Sequence, residues 1–248
     1  MLGVSCGSFA ASLCIYTCQW STSWKFVPIF RSWLISRQTT GVGRRVRKPA
    51  CHALCSIATS FVRFVANGVF PEHGHELGEE FIVLEGEFAD ENRRYPVGTY
   101  IRHPPGSRHT PFSDPGCLIW VKLRQFDEKD LTQLVTALDS TIPKQGWRAR
   151  ELHRFRGEQN ANQGADAGTE IVREIVAAAG EQITLSEASA VQEVVMLSGE
   201  TVCEIPGEPA VTLTERSWLR LPQGSGATLS SSGPVRLFTK TRPVYNVA

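Results

Sequence analysis

Acidic residues are missing from the first 71 positions of this 248-residue chain. Lys25, Arg31, Arg37, Arg44, Arg45, Arg47, Lys48 and Arg63 give that stretch eight cations with no counter-charge. The remainder holds 18 of the 26 cations against all 25 acids, a net charge of −7 hidden inside a whole-chain value of +1. A body of that sign is a poor nucleic-acid binder, because such binding is driven by neutralising phosphates. A basic N-terminal arm on DNA has no motif behind it. Cysteine is scarce beyond the same region: Cys6, Cys14, Cys18, Cys51 and Cys55 precede residue 56, and only Cys117 and Cys203 follow. An odd total and an isolated pair imply no disulfide framework, and the body reads as a protein of a reducing compartment. Uninterrupted apolar runs are short. Residues 4–16 are fairly apolar, and 24–35 are broken by Lys25, Pro28 and Arg31, so neither reaches the ~20 residues of a membrane helix. No phosphate loop, nucleophile constellation or cofactor fingerprint is found, and Arg93-Arg94 is too short for a nucleic-acid patch.

Residues 1–58 differ from the rest. They are rich in Ser, Thr, Cys and Arg, lack acids and show no sustained period. Leaders of that composition resemble mitochondrial or plastid transit peptides. A start codon assigned too far upstream and a secretory signal or anchor are the competing readings. A mitochondrial or plastid location is expected if the leader is real, and a cytoplasmic one otherwise. The leader is expected to be disordered and dispensable for folding, since it has no periodic apolar face to bury.

What the body does contain is a set of metal-ligand side chains within residues 71–113. The first segment reads His73-Gly-His75-Glu-Leu-Gly-Glu79, followed by Gly86. The second reads Gly98-Thr-Tyr-Ile-Arg-His-Pro104-Pro-Gly106-Ser-Arg-His109. Imidazole and carboxylate donors suit Zn, Fe, Mn or Ni better than a soft metal. Alternation along a strand points His73 and His75 the same way. Glu79 has the same parity, and a bulge at Gly78 can re-aim it. His109 has to come from another strand running back beside the first, as in a small β-barrel whose inward residues converge.

These two segments resemble the characteristic motifs of the cupin superfamily, G-x5-H-x-H-x3/4-E-x6-G and G-x5-P-x-G-x2-H-x3-N. The match falls at His73, His75, Glu79, Gly86, Gly98, Pro104, Gly106 and His109. The departures are Asn67 at the leading Gly and Ser113 at the closing Asn. The longer runs Gly78-Glu-Glu-Phe-Ile-Val-Leu-Glu-Gly86, Tyr95-Pro-Val-Gly-Thr-Tyr-Ile-Arg102 and Val121-Lys-Leu-Arg-Gln125 are similar to the ChrR-type cupin, the sensor domain of a zinc-binding anti-sigma factor. The resemblance implies an all-β chain of double-stranded β-helix (jelly-roll) barrels. It also implies one bound divalent metal, Zn or Fe ahead of Mn or Ni, held by His73, His75, Glu79 and His109. The anti-sigma factor's sigma-binding half has no counterpart, because Cys51-His-Ala-Leu-Cys55 has the wrong order and spacing for its zinc motif.

The C-terminal half echoes the first. Glu80-Phe-Ile-Val-Leu-Glu-Gly-Glu87 aligns with Glu193-Val-Val-Met-Leu-Ser-Gly-Glu200, Tyr100-Ile-Arg-His-Pro-Pro-Gly-Ser107 with Trp218-Leu-Arg-Leu-Pro-Gln-Gly-Ser225, and Phe61-Val-Arg63 with Ile171-Val-Arg173. The ligand positions fall on Ser186, Ala188, Gln192 and Ala227. A duplicated bicupin with a degenerate second copy is therefore expected. The expected division is a leader at 1–58, a metal-binding cupin at 59–126, a linker at 127–150 and a metal-free cupin at 151–248. Asp127-Glu-Lys-Asp130-Leu reads as the opening of a short helix, and Cys117 reads as a core residue.

Two functions of different class follow. A small-molecule-binding sensor needs only a closed zinc site, because four tetrahedral ligands satisfy Zn²⁺. A dioxygenase-type enzyme uses Fe or Mn, whose six positions leave two open. Arg102, His103 and Arg108 lie beside the second motif and are candidates to anchor an anionic substrate, with a solvated rim charge as the plainer reading for each arginine. A small-molecule partner is expected, without nucleic acid or a membrane span, and a homodimer is admitted.

Overall fold

The computed structural model describes residues 13–17, 25–27, 58–157, 168–186 and 190–242. Every regular element among them is a strand, as the alternating apolar runs require. None of the described residues forms a helix long and apolar enough to cross a membrane. The chain divides into two compact units. Among the described residues the first unit takes 13–17 and 58–137, and the second takes 25–27 and 138–242.

In the first unit, strand Glu79–Ala89 pairs antiparallel with Cys117–Leu123 on one side and Thr99–His103 on the other. Cys117–Leu123 continues the sheet to Ala58–Phe64. One face of these strands carries Val62, Phe64, Phe81, Val83, Ile101, Cys117, Ile119 and Val121, which pack together as a core with Phe88 and Tyr95. The register sets Phe81 opposite Ile101 and, two pairs further along on the same face, Glu79 opposite His103. The stripe that packs the core therefore turns polar at one end, and that end is where the metal-ligand side chains gather. Cys117 is a core residue, as read from the sequence. Burial pushes its thiol up to about 11, which leaves it unreactive near neutral pH.

The opposite face of the same strands is also buried, and it is charged. Glu80, Tyr100, Arg102, Trp120 and Lys122 are all fully inaccessible to solvent. Burying charge is tolerable only with close partners. Arg102 donates to Glu80 at 3.2 Å and to Asp130 at 2.5 Å, and it lies 3.9 Å over the Phe126 ring. Tyr100 donates to the same Glu80 carboxylate at 2.7 Å.

Gly86, the last residue of the first motif, has φ +65°, and a Cβ there would sit 1.9 Å from the Gly116 carbonyl oxygen. An L side chain in that backbone region costs roughly 1–2 kcal/mol before any clash is counted. The Gly86→Ala protein should therefore melt about 5–15 °C lower, at about 4–8 °C per kcal/mol, as measured by a thermal melt followed by circular dichroism.

In the second unit, strand Val191–Ser198 lies between Val235–Arg242 and Trp218–Leu221, and Thr169–Ala177 joins Val235–Arg242 to Trp147–Arg156. Ile175, Val194, Met196, Leu219, Leu221 and Leu237 belong to its core. Residues 127–150 do not behave as one linker. Strand Leu134–Ala137 pairs with Thr99–His103 and so completes the first unit, while Trp147–Arg156 begins the second. The short helix expected at Asp127 does not form. Asp130 N–H closes a turn on the Asp127 carbonyl, and the Asp127 and Asp130 carboxylates accept the N–H groups of Lys129 and Thr132. Local side-chain acceptors of this kind compete with the helix ladder. Upstream of residue 58 the described residues are strand Leu13–Thr17, along Ala58–Phe64, and strand Lys25–Val27, along Trp218–Leu221. The rest of residues 1–57 lies outside the described residues.

Candidate metal centre

Three strands supply the site. His73–His75 pairs antiparallel with Ser107–His109, with His73 opposite His109 and Gly74 opposite Arg108. This is the returning strand that the sequence required for His109. Alternation then puts His73, His75 and His109 on one face and Arg108 on the other. The His73 strand does not run on to Glu79. The chain turns at Glu76-Leu77, Gly78 N–H closes on the His75 carbonyl at 3.3 Å, and Gly78 takes φ +75°. A Cβ on Gly78 would lie 2.2 Å from the Phe126 ring. Glycine at this position therefore lets Glu79 enter from a second strand and still face the histidines.

The donor atoms converge. His75 Nε2 lies 3.1 Å from His109 Nε2 and 3.3 Å from a Glu79 carboxylate oxygen, and His109 Nε2 lies 3.5 Å from that same oxygen. Donor atoms of His73, His75 and His109 all fall within 4.8 Å of one another. Atoms sharing a divalent first-row cation at about 2.0–2.2 Å are spaced in this way. The shared Glu79 oxygen is buried and has no hydrogen-bond partner, a costly arrangement unless a cation satisfies it. His73 Nδ1 is 2.9 Å from the Pro71 carbonyl oxygen. An N–H at Nδ1 would donate there and leave Nε2 as the ligand atom, the usual way an outer contact fixes a ligating imidazole. The donor set therefore fits a divalent cation.

Burial shapes the electrostatics. Burial, assisted by the neighbouring His109 and His73, lowers His75 to about 3. Burial also lowers His73, against the Pro71 contact. Both imidazoles are neutral at pH 7, the form that ligates. Burial raises Glu79 to about 7, partly offset by His109. The folded metal-free protein thus favours protonated Glu79 below about pH 7, and that proton competes with a cation. Metal affinity should climb as pH rises toward 7 and level off above it. A chelator-competition titration between pH 5.5 and 8.5 checks this, and affinity falling with rising pH would contradict it.

The three residues read as substrate anchors separate. His103 is buried on the site side, 4.9 Å ring to ring from His109 and stacked on Phe81 at 5.8 Å, and its Nε2 has no hydrogen-bond partner. Burial lowers it to about 4, which disfavours the imidazolium that an anion would need. Arg102 alternates to the opposite face and is held by Glu80 and Asp130, which removes it from the substrate candidates. Arg108 also points outward. It is 65% exposed and donates to Glu72 at 2.9 Å, the solvated rim charge of the plainer reading.

Sequence reasoning missed Asp90 and Tyr95. Asp90, in the turn after strand Glu79–Ala89, is buried and has a carboxylate oxygen 3.8 Å from His109 Nδ1. No motif marks it. Its one sequence signal is an Asp opening the Asp90-Glu-Asn-Arg93 turn, a common capping pattern.

In the second unit Gln192 takes the place aligned with Glu79. Its amide donates to the Ser186 carbonyl at 2.8 Å and the Ser225 carbonyl at 3.1 Å. Ala227 pairs with Leu185 and offers no donor side chain. Ala188 lies outside the described residues.

A family model described as the ChrR cupin-like domain matches residues 32–127, beginning upstream of the boundary placed at residue 59. The fold is similar to that of a salicylate 1,2-dioxygenase from Pseudaminobacter salicylatoxidans, at 13% identity and TM-score 0.54, over 75% of this chain and 70% of that one. It is also similar to a cupin 2 conserved barrel domain protein from Leptotrichia buccalis, at 12% identity and TM-score 0.52, over 77% of this chain and 85% of that one. AerE from Microcystis aeruginosa aligns over 96% of both chains at 10% identity and TM-score 0.55. Among curated proteins the sequence finds no match. At these identities the structural likenesses establish the fold alone.

Proposed function

We propose that the first unit, most of which falls in the ChrR cupin-like domain match over residues 32–127, holds one divalent cation through His73, His75, Glu79 and His109 and receives a small molecule beside it. The observation that carries this reading is the convergence of His75, His109 and Glu79 within 3.1–3.5 Å around a buried carboxylate oxygen that no hydrogen bond satisfies. A bound cation would supply Lewis acidity and a coordination position for the ligand. The protein's own part is to exclude water with Phe81 and Phe88 and to offer His103 as a neutral donor or acceptor. The second unit is read as a degenerate copy in which the Gln192 amide ties the Ser186 and Ser225 backbones together by hydrogen bonds.

Elemental analysis of protein purified from its native source tests the reading, with one equivalent of metal per chain expected. No metal, or two equivalents, contradicts it. A dioxygenase reading has one observation in its favour. The His103 ring, whose Nε2 is buried without a hydrogen-bond partner, lies beside His109 and outside the four ligands, where a closed structural zinc site has no use for it. Protein reconstituted with Fe(II) is then expected to consume O₂ with some member of a panel of β-diketones, thiols and small carboxylic acids. His103→Gln should abolish that uptake and leave metal content intact. Zinc at one equivalent and no uptake across the panel would leave the sensor reading.

A further inference from the structure

We propose that Asp90, backed by Tyr95, positions His109, holding its imidazole protonated on Nδ1 so that the Nε2 lone pair faces His75 and Glu79. The inference rests on the metal reading above and extends it to two residues outside the ligand set. Asp90 is fixed on every side. One carboxylate oxygen accepts the backbone N–H groups of Asn92 at 2.8 Å and Arg93 at 3.1 Å. The other accepts the Tyr95 hydroxyl at 2.9 Å, and the Asp90 N–H donates to the Arg93 carbonyl at 3.1 Å.

That second oxygen is the one 3.8 Å from His109 Nδ1. The separation is beyond a hydrogen bond and within electrostatic reach. His109 Nδ1 is buried and has no hydrogen-bond partner, and the Asp90 carboxylate is the acid that faces it. The other ring nitrogen looks at the His75 nitrogen and the Glu79 oxygen. In a neutral imidazole between these two environments, the proton belongs on the side of the carboxylate. Burial tends to raise the Asp90 carboxyl. Two backbone amides on one oxygen and the Tyr95 hydroxyl on the other favour the ionised carboxylate. An ionised carboxylate behind a ligating histidine orients the ring and raises its basicity.

The competing explanation is that Asp90 only caps its own turn. Two variants in the full chain separate the two. Asp90→Asn keeps an oxygen for the Asn92 and Arg93 amides and removes the charge. Tyr95→Phe leaves the turn whole and removes one anchor. Nitrogen NMR of the metal-free protein reads the His109 tautomer, and competition with a chromophoric chelator reads Zn²⁺ and Co²⁺ affinity. Wild type is expected to be protonated on Nδ1. Asp90→Asn should mix the tautomers and weaken metal binding by roughly 10–100-fold, and Tyr95→Phe should do the same to a smaller degree. Folded Asp90→Asn protein with an unchanged tautomer and an affinity within threefold of wild type overturns the proposal. His75→Ala is the companion control. If it binds metal like wild type, the metal reading falls and this inference falls with it. If it loses metal while Asp90→Asn does not, only the positioning role is lost.

Discussion

His75→Ala is expected to empty the first unit of metal and to lower its melting temperature by about 10–20 °C. His75 sits between His109 and Glu79 and is closer to each than they are to one another, so its loss opens the ligand set at its middle. A cation that binds only the folded state stabilises it by about 2.7 kcal/mol at a hundred times its dissociation constant. For a unit of this size each kcal/mol moves the midpoint by about 4–8 °C. The control is wild type stripped with a chelator, whose melt the variant should reproduce. A variant that retains stoichiometric metal would remove His75 from the ligand set.

Arg102→Ala should be the most damaging change outside the ligands. The guanidinium is fully buried with Glu80 on one side and Asp130 on the other. Its removal takes the guanidinium away from two buried carboxylates, leaving Glu80 with the Tyr100 hydroxyl and Asp130 with the Thr132 N–H, and breaking a buried ion pair in this way costs about 3–5 kcal/mol. Chemical denaturation should show that loss while the folded fraction binds metal as wild type does. Arg102→Met, which keeps volume but not charge, should be nearly as harmful, because the acids remain. If Arg102 anchored a substrate instead, both variants would be stable and only ligand binding would change.

These two predictions mark how far the sequence could be read. His73, His75, Glu79 and His109 read as candidate ligands from residue type, strand parity and resemblance to the cupin motifs, and the fold brings the donor atoms of His75, Glu79 and His109 within 3.1–3.5 Å of one another and those of His73, His75 and His109 within 4.8 Å. The all-β class is implied by the resemblance and by the short apolar runs between turns, and Cys117 reads as core from its place on one such run. Glu79 arrives by a route the period did not give. Its parity suggested one continuous strand, and the chain instead turns at Gly78 and delivers it from a second strand. The three candidate substrate residues were chosen by nearness in sequence to the second motif, and nearness says nothing about side. Arg102 and His103 are neighbours that point in opposite directions.

The sequence by itself determined the chemistry available here: which donors exist, that four of them share a motif, and that the second half lacks them. Tertiary structure decided which residues stand behind the donors. The contact between Asp90 and His109 spans 19 positions, and that between Arg102 and Asp130 spans 28. Such pairs depend on strand register and on turn geometry. No local period encodes those two, so they are settled only when the sheets close over their cores.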